Sequence, residues 1–325
     1  MKDFLFSVKT SFVFVGTVIG AGFATGAEIK LYFSNYGFLT IVFSAFVFSL
    51  LLALFMSVAK VRKRRKYNTV SLSKIVRIVV LSISVCTMGG ASEQLIRSAF
   101  GVFGGGIFTL VACFLLIKFF KKSLDVVNFI AVPLIVALLV AIFIRADTGI
   151  DISKGFGLFS GVGYACMNIY SAGETINNRG CATKRQIILS TLITFVVLSS
   201  LMMTIRAIIG NGVGDMPVVS VASGVGLKKV AEVVVYLAIF TTMLGNISVI
   251  YPDLKVFLKK DIYTFLVLFL VVGVGLLVGF TNLVQYGYPV ISVFGLGYTV
   301  YAVSLFVLCR KSLFDKGNYG VHTSG

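Results

Sequence analysis

Gly16-Thr17-Val18-Ile19-Gly20-Ala21-Gly22-Phe23-Ala24-Thr25-Gly26-Ala27-Glu28 is an apolar stretch that carries four glycines and ends on a carboxylate. It sits inside an apolar run from Phe4 to Phe33, long enough to cross a bilayer. Lipid offers no partner to a freed N–H or C=O. Glycine-loosened backbone at membrane depth is therefore tolerated only where it is buried in protein or lines a cavity. Two readings of the stretch stay open at this point. In transporters such interruptions mark where substrate and ions bind. Alternatively, Gly16-xxx-Gly20 and Gly22-xxx-Gly26 form a small-residue face for close helix packing.

Composition settles the class. The chain is 58% hydrophobic and 13% charged, and its mean hydropathy of +1.01 excludes an ordinary soluble domain. Apolar runs of bilayer-spanning length recur throughout. The formal charge of +17 resides in short loops between these runs, the pattern of topology determinants rather than of a phosphate-binding face. Nucleic acid is not an expected partner; the lipid bilayer is. Cys86, Cys113, Cys166, Cys181 and Cys309 form an odd set without a CxxC pair, and read as packing residues rather than a disulfide framework or metal site. The single histidine, His322, lies in the polar C-terminal tail. Met1 to Ala27 resembles a signal peptide, but the apolar run continues to Phe33, so it reads as an uncleaved first helix.

Hydropathy predicts ten spans: Phe6–Phe33, Phe38–Ala59, Ile75–Phe100, Gly105–Phe120, Val126–Ile144, Gly155–Ala172, Ile187–Ile209, Val230–Ile250, Ile262–Phe280 and Leu283–Leu308. Most of the 29 basic residues, including the Lys60–Lys66 cluster, fall in alternate loops. That asymmetry predicts an N-in, C-in protein of the plasma membrane. Division after the fifth span gives two five-helix halves, about 1–147 and 148–310, and a short cytoplasmic tail, 311–325. An odd number of spans per half inverts the second half relative to the first. Its first span, Gly155 to Glu174, is also glycine-interrupted. Paired glycine-interrupted spans at matching positions of inverted halves point to a transporter site.

The Gly20–Glu28 run, Gly-Ala-Gly-Phe-Ala-Thr-Gly-Ala-Glu, resembles the YkvI-type bacterial membrane proteins. The five-plus-five arrangement with interrupted first and sixth helices is similar to the amino acid–polyamine–organocation superfamily and its LeuT-like fold. The resemblance implies an all-α integral membrane protein of about ten helices in an inverted repeat. It also implies a sodium site from Gly16 and Ile19 on the first helix with Ala238, Thr241 and Thr242 on the eighth. Sodium favours hard oxygen ligands, and carbonyls and hydroxyls would make a neutral, weak site. Threonine pairs in membrane helices also commonly bond back to preceding carbonyls. Sodium-independent relatives carry a lysine inside helix five. None occurs in Val126–Ile144. Thr17 replaces an asparagine that serves a second ion in some relatives.

The implied substrate contacts are Thr17, Gly20, Ala21, Gly22 and Phe23 on the first helix and Gly89 on the third. Gly161, Gly163, Tyr164 and Asn168 join them on the sixth, the last two just past the expected second interruption. Glu28, Glu93 and Arg97 are expected at an outer gate or vestibule. Glu93 and Arg97 are four apart on one helical face, and Glu28 is within reach of Lys30, Arg97 or a substrate amine. The tenth span, including Tyr288, is assigned only to packing. The expected function is secondary active transport of a small organic solute, an amino acid or related zwitterion, coupled to sodium by alternating access. No enzyme chemistry, resident cofactor or obligatory protein partner is expected. A solute-sensing receptor and a drug/metabolite-type exporter are the alternatives, the exporter requiring no break in the first helix.

Overall fold

In a computed structural model, the described residues are 2–65, 71–120, 123–146, 148–149, 155–169, 172–173, 176 and 182–318. Among them the chain is helical, without strands. The elements are α1 (Lys2–Val18), α2 (Ala21–Thr25), α3 (Ala27–Phe33), α4 (Phe38–Arg65), α5 (Ser71–Phe100), α6 (Gly105–Phe119) and α7 (Ser123–Arg145). They continue with α8 (Leu158–Met167), α9 (Lys184–Ile208), α10 (Pro217–Gly224), α11 (Lys228–Leu258), α12 (Asp261–Val278) and α13 (Tyr288–Asn318). A short turn, Phe280–Asn282, and a π-helical segment, Leu283–Gly287, lead into α13.

Among the described residues, seven helical stretches are long and apolar enough to cross a membrane: Phe38–Ala59, Lys74–Phe100, Val126–Arg145, Lys184–Ile208, Lys228–Leu258, Asp261–Val278 and Phe280–Val307. They match seven of the ten expected spans, six within about three residues at each end and the eighth, expected to end at Ile250, running on to Leu258. The other three are shorter helices. The first expected span is divided into α1, α2 and α3. The fourth, α6, has 15 residues, about 22 Å at the usual helical rise. The sixth, α8, has 10. Beyond the tenth span, α13 continues to Asn318, so much of the expected tail is helix. Glu174, Cys181 and His322 lie outside the described residues.

Apolar side chains cover the outside as well as the core. Leu277 is 88% exposed and Phe129 77%, a surface suited to lipid and costly in water. Inside, Tyr164 is ringed by Phe33, Phe48 and Tyr32 at centroid distances of 5.2–5.6 Å. Small residues bring backbones together at particular crossings. A Cβ on Gly295 of α13 would run into the Cys166 carbonyl of α8, and one on Gly275 of α12 into the Cys86 carbonyl of α5. Cys86, Cys113 and Cys166 are free and buried, consistent with packing roles.

Polar contacts then fix the ends. Thr183 and Gln186 form a reciprocal capping box that starts α9. The Gln186 side chain also donates to Asp3 at 2.8 Å, tying α1 to the same point. Arg77 pairs with Asp253 at 2.6 Å, joining α5 to α11. Arg206 donates to the carbonyls of Phe33 and Ser34 at 3.3 and 3.4 Å, closing the end of α3. Helix partners are α1 with α9, α4 with α8 and α9, α5 with α11 and α12, α6 with α11, α7 with α1 and α9, and α13 with α8 and α4.

Candidate functional site

The first helix leaves its regular path at Ile19–Gly20. The Gly20 amide donates to the Val18 carbonyl at 2.8 Å instead of reaching back four residues to Gly16, so the Gly16 carbonyl loses its expected amide. Gly20 itself is extended, at φ −87° and ψ −172°. The helical path resumes when Ala24 N–H bonds Gly20 O at 2.9 Å. A second change of direction follows at Gly26, whose φ of +81° lies in the left-handed region that glycine occupies without steric cost. Each glycine of the run has a separate neighbour. A Cβ would meet Asn128 and Val132 at Gly16, Thr242 at Gly20, Glu28 at Gly22 and Ile209 at Gly26.

The sixth span differs. Gly161 and Gly163 lie within the continuous helix α8, which ends at Met167, and Asn168 forms the turn. The interruption therefore comes at Asn168, after the glycines, and Tyr164 precedes it. This corrects the placement of both residues just past a break. The glycines serve approach instead: Gly161 sits against Phe43 of α4, and its carbonyl accepts from Ser44 at 2.9 Å.

Between the Gly20 break and the Asn168 turn lies a cavity of about 30 Å³, lined by Thr17, Gly20, Glu28, Asn168, Thr242, Asn246 and Tyr288 among others. That is room for one or two waters. Of the lining residues, Thr17, Gly20 and Asn168 are among the expected substrate contacts, and Thr242 among the expected sodium ligands. Glu28 is displaced from the vestibule assigned to it. It is 3% exposed, and its Oε2 accepts a hydrogen bond from Tyr164 at 3.1 Å. Its carboxyl folds back over Gly22, which has no side chain to obstruct it. Neither Lys30, which is exposed, nor Arg97 neutralises it. The rest of the expected substrate set surrounds the cavity or stands apart. Phe23 is core, Ala21 opens α2, Tyr164 holds Glu28, and Gly163 faces Tyr32 at 3.7 Å. Gly89 is a contact between α5 and α12, with Val272 2.9 Å from its Cβ position.

Glu93 and Arg97 do not act as a pair. The Glu93 carboxyl accepts from the amides of Gly104 at 3.0 and 3.1 Å and of Gly106 at 3.2 Å, capping the N-terminus of α6 where negative charge is favoured. The Arg97 guanidinium lies 4.4 Å above the Phe103 ring. Both border a separate, open basin of about 580 Å³ shared with Gln94, Asp215 and Asn282.

Three further cavity residues, Tyr288, Asn246 and Ser84, are not in the site expected from the sequence. Tyr288 follows the π-helical segment on a helix assigned only to packing. Asn246 and Ser84 bond to each other at 2.7 Å across α11 and α5. Several polar atoms here lack protein partners: Tyr288 Oη, Asn246 Oδ1 and Asn168 Nδ2. Tyr288 and Asn168 stand near the Glu28 carboxyl without reaching hydrogen-bonding geometry. On the other side of the break, both amide atoms of the buried Asn128 are also unpartnered, beside Gly16. The hydroxyls of Thr241 and Thr242 both donate to the Ala238 carbonyl, at 2.9 and 3.0 Å. This is the back-bonding to a preceding carbonyl that threonine pairs in membrane helices commonly make, and it leaves the hydroxyl oxygens buried beside that carbonyl. Ile19, 0% exposed, sits at the break.

No family model matches the chain. It is similar to a protein of Bacillus subtilis (strain 168) described as uncharacterized membrane protein YkvI, with 25% identity over 343 aligned positions that cover 94% of this chain and 96% of that one.

Proposed function

We propose that the protein is a secondary active transporter of a small organic solute, coupled to sodium, with the cavity at the Gly20 break as its solute site. The observation that carries this reading is the meeting of an interrupted first helix and the Asn168 turn at one buried, polar, incompletely satisfied cavity. Freed backbone at membrane depth requires such a setting, and transporters place their sites there.

The helix pairing favours a five-plus-five inverted repeat of LeuT-like kind. Contacts recur when the two halves are exchanged. The pairing of α1 with α9 answers that of α8 with α4, α5 with α12 answers α11 with α6, and α7 with α1 answers α13 with α8. The interrupted first helix speaks against the drug/metabolite-type exporter, which requires it unbroken.

For the ion, the donor set fits a weak oxygen site. Gly16 and Ile19 would contribute carbonyls released at the break, and Ala238, Thr241 and Thr242 a carbonyl and two hydroxyls. The unpartnered Asn128 amide beside Gly16 supports a polar occupant at the Gly16 end of this set. Sodium bound there would couple its gradient to solute movement through the shared elements: Gly20 and Thr242 border the ion set and the cavity alike.

The test is the melting temperature of the purified protein in sodium against matched choline, for wild type and for Thr241→Ala with Thr242→Ala. An ion at a hundred times its dissociation constant stabilises the folded state by about 2.7 kcal/mol, a shift of degrees. Sodium is expected to raise the wild-type melting temperature and to leave the double variant unmoved. Equal melting of the wild type in sodium and choline would remove sodium from the proposal.

A further inference from the structure

The acids of this protein are partnered in different ways, and Glu28 stands apart. Among the described residues, Asp253 is paired with Arg77, Asp261 with Lys118 and Lys255, and Glu232 with Lys228 and Lys229. Glu93 is met by backbone amides. Glu28 is as buried as any of these, and the group that meets it is a neutral phenol, Tyr164. A carboxylate at this depth is costly unless a positive group answers it. No basic side chain lines the cavity among the described residues, so the charge is answered either by a proton on Glu28 itself or by a cationic occupant, and the unpartnered oxygens beside it favour the occupant.

The remaining polar atoms describe that occupant. The hydrogen bond from Tyr164 uses one of about four lone-pair positions on the carboxylate. Asn246 Oδ1 is an acceptor without a donor, and Tyr288 Oη is unpartnered. Both residues are at least 98% buried, at 1% and 2% exposure, and both line the cavity with Glu28. One carboxylate and two neutral oxygens make three acceptors, the complement of a primary ammonium with three N–H donors. Asn168 Nδ2, a donor without an acceptor, is left for an oxygen on the rest of the molecule. A cavity of about 30 Å³ accepts an ammonium head as it stands. The rest of a solute requires the walls to part, as alternating access demands.

We propose that Glu28 is the ligand for the ammonium group of the transported solute, with Asn246 and Tyr288 as its neutral co-acceptors, so that the substrates are primary amines or zwitterions rather than simple organic anions. This rests on reading the cavity as the solute site.

The experiment melts the purified protein in detergent, in sodium and in choline, against three matched sets of probes: the twenty common amino acids, their decarboxylated amines, and the corresponding 2-oxo acids. Wild type, Glu28→Gln and Tyr288→Phe are compared. Glu28→Gln keeps the size of the side chain and an acceptor oxygen for Tyr164 while removing the charge. At least one amine-bearing probe is expected to raise the wild-type melting temperature by several degrees, its 2-oxo counterpart by none. Glu28→Gln should lose the shift and Tyr288→Phe should reduce it. A 2-oxo acid that stabilises as well as its amino acid overturns the proposal. So does an amine-dependent shift that survives in Glu28→Gln, or the failure of every amine-bearing probe on wild type, an outcome that holds whether or not the variants fold. A sodium shift sensitive to Thr241 and Thr242 without any amine shift sinks this assignment and leaves the transport reading standing. An amine shift without uptake into proteoliposomes does the reverse.

Discussion

The first and the sixth spans are both rich in glycine, yet the glycines do different work in each. In the first, Gly20 is extended, Gly26 is left-handed, and Gly22 leaves room for a folded-back carboxyl. In the sixth, Gly161 and Gly163 lie within an unbroken helix, and the turn falls later, at Asn168. Glycine frequency therefore does not locate a break. Spacing combined with a polar group that needs the vacated volume does so better. The Glu28 carboxyl occupies the space that a side chain at Gly22 would fill.

The comparison is most exposed to failure at Gly26. Alanine there must hold a left-handed conformation, which costs about 1–2 kcal/mol. Its Cβ would also lie 2.7 Å from Ile209 Cγ2, an overpacking of about 1–3 kcal/mol. Gly26→Ala is thus expected to show the largest fall in melting temperature of the glycine series, with loss of cavity function because α3 carries Glu28. A wild-type melting curve for Gly26→Ala would mean that α2 and α3 can join as one helix, and would remove the second change of direction.

Gly22→Ala comes next. The new methyl enters the volume of the Glu28 side chain, so the carboxyl must swing away from Tyr164. A loss of about 1–3 kcal/mol is expected. The diagnostic is coupling rather than size. In a double-mutant cycle with Glu28→Ala, the Gly22→Ala penalty should shrink by about 1 kcal/mol or more, as for residues in direct contact. Additive losses would show that Gly22 is glycine for another reason.

What was legible in the sequence follows the range of the interactions involved. The Gly20 interruption is written in residues a few positions apart, and the long spans announce themselves by hydropathy, so both were read correctly. The Glu93 cap depends on a loop that brings Gly104 and Gly106 back over α5. From sequence alone the four-residue spacing to Arg97 was the more visible partner, and it misled. Tyr288 and Asn246 belong to the cavity only because α13 and α11 cross there. Tyr288 sits in no pattern that separates it from ordinary packing or interfacial residues, and Asn246, although polar inside an apolar span, shows no partner in the sequence. Glu28 was recognised as unusual but placed too far out, since sequence shows that a helix breaks without showing how the next turn is aimed.

The smallest effect is expected at Gly163, and it tests the other half of the comparison. The nearest atom to its Cβ position is Tyr32 Cε1 at 3.7 Å, ordinary contact distance, and the backbone there is helical. Replacing an interior helical glycine by alanine reduces the freedom of the unfolded chain and gains about 0.5–1 kcal/mol where no clash opposes it. Gly163→Ala should therefore melt at or slightly above the wild-type temperature and keep any sodium or solute shift that wild type shows. Wild-type melting with loss of the solute shift or of uptake would mean that α8 must bend at Gly163 during the working cycle. The two glycine-rich spans would then be functionally alike after all, the first interrupted at rest and the sixth interrupted only in motion.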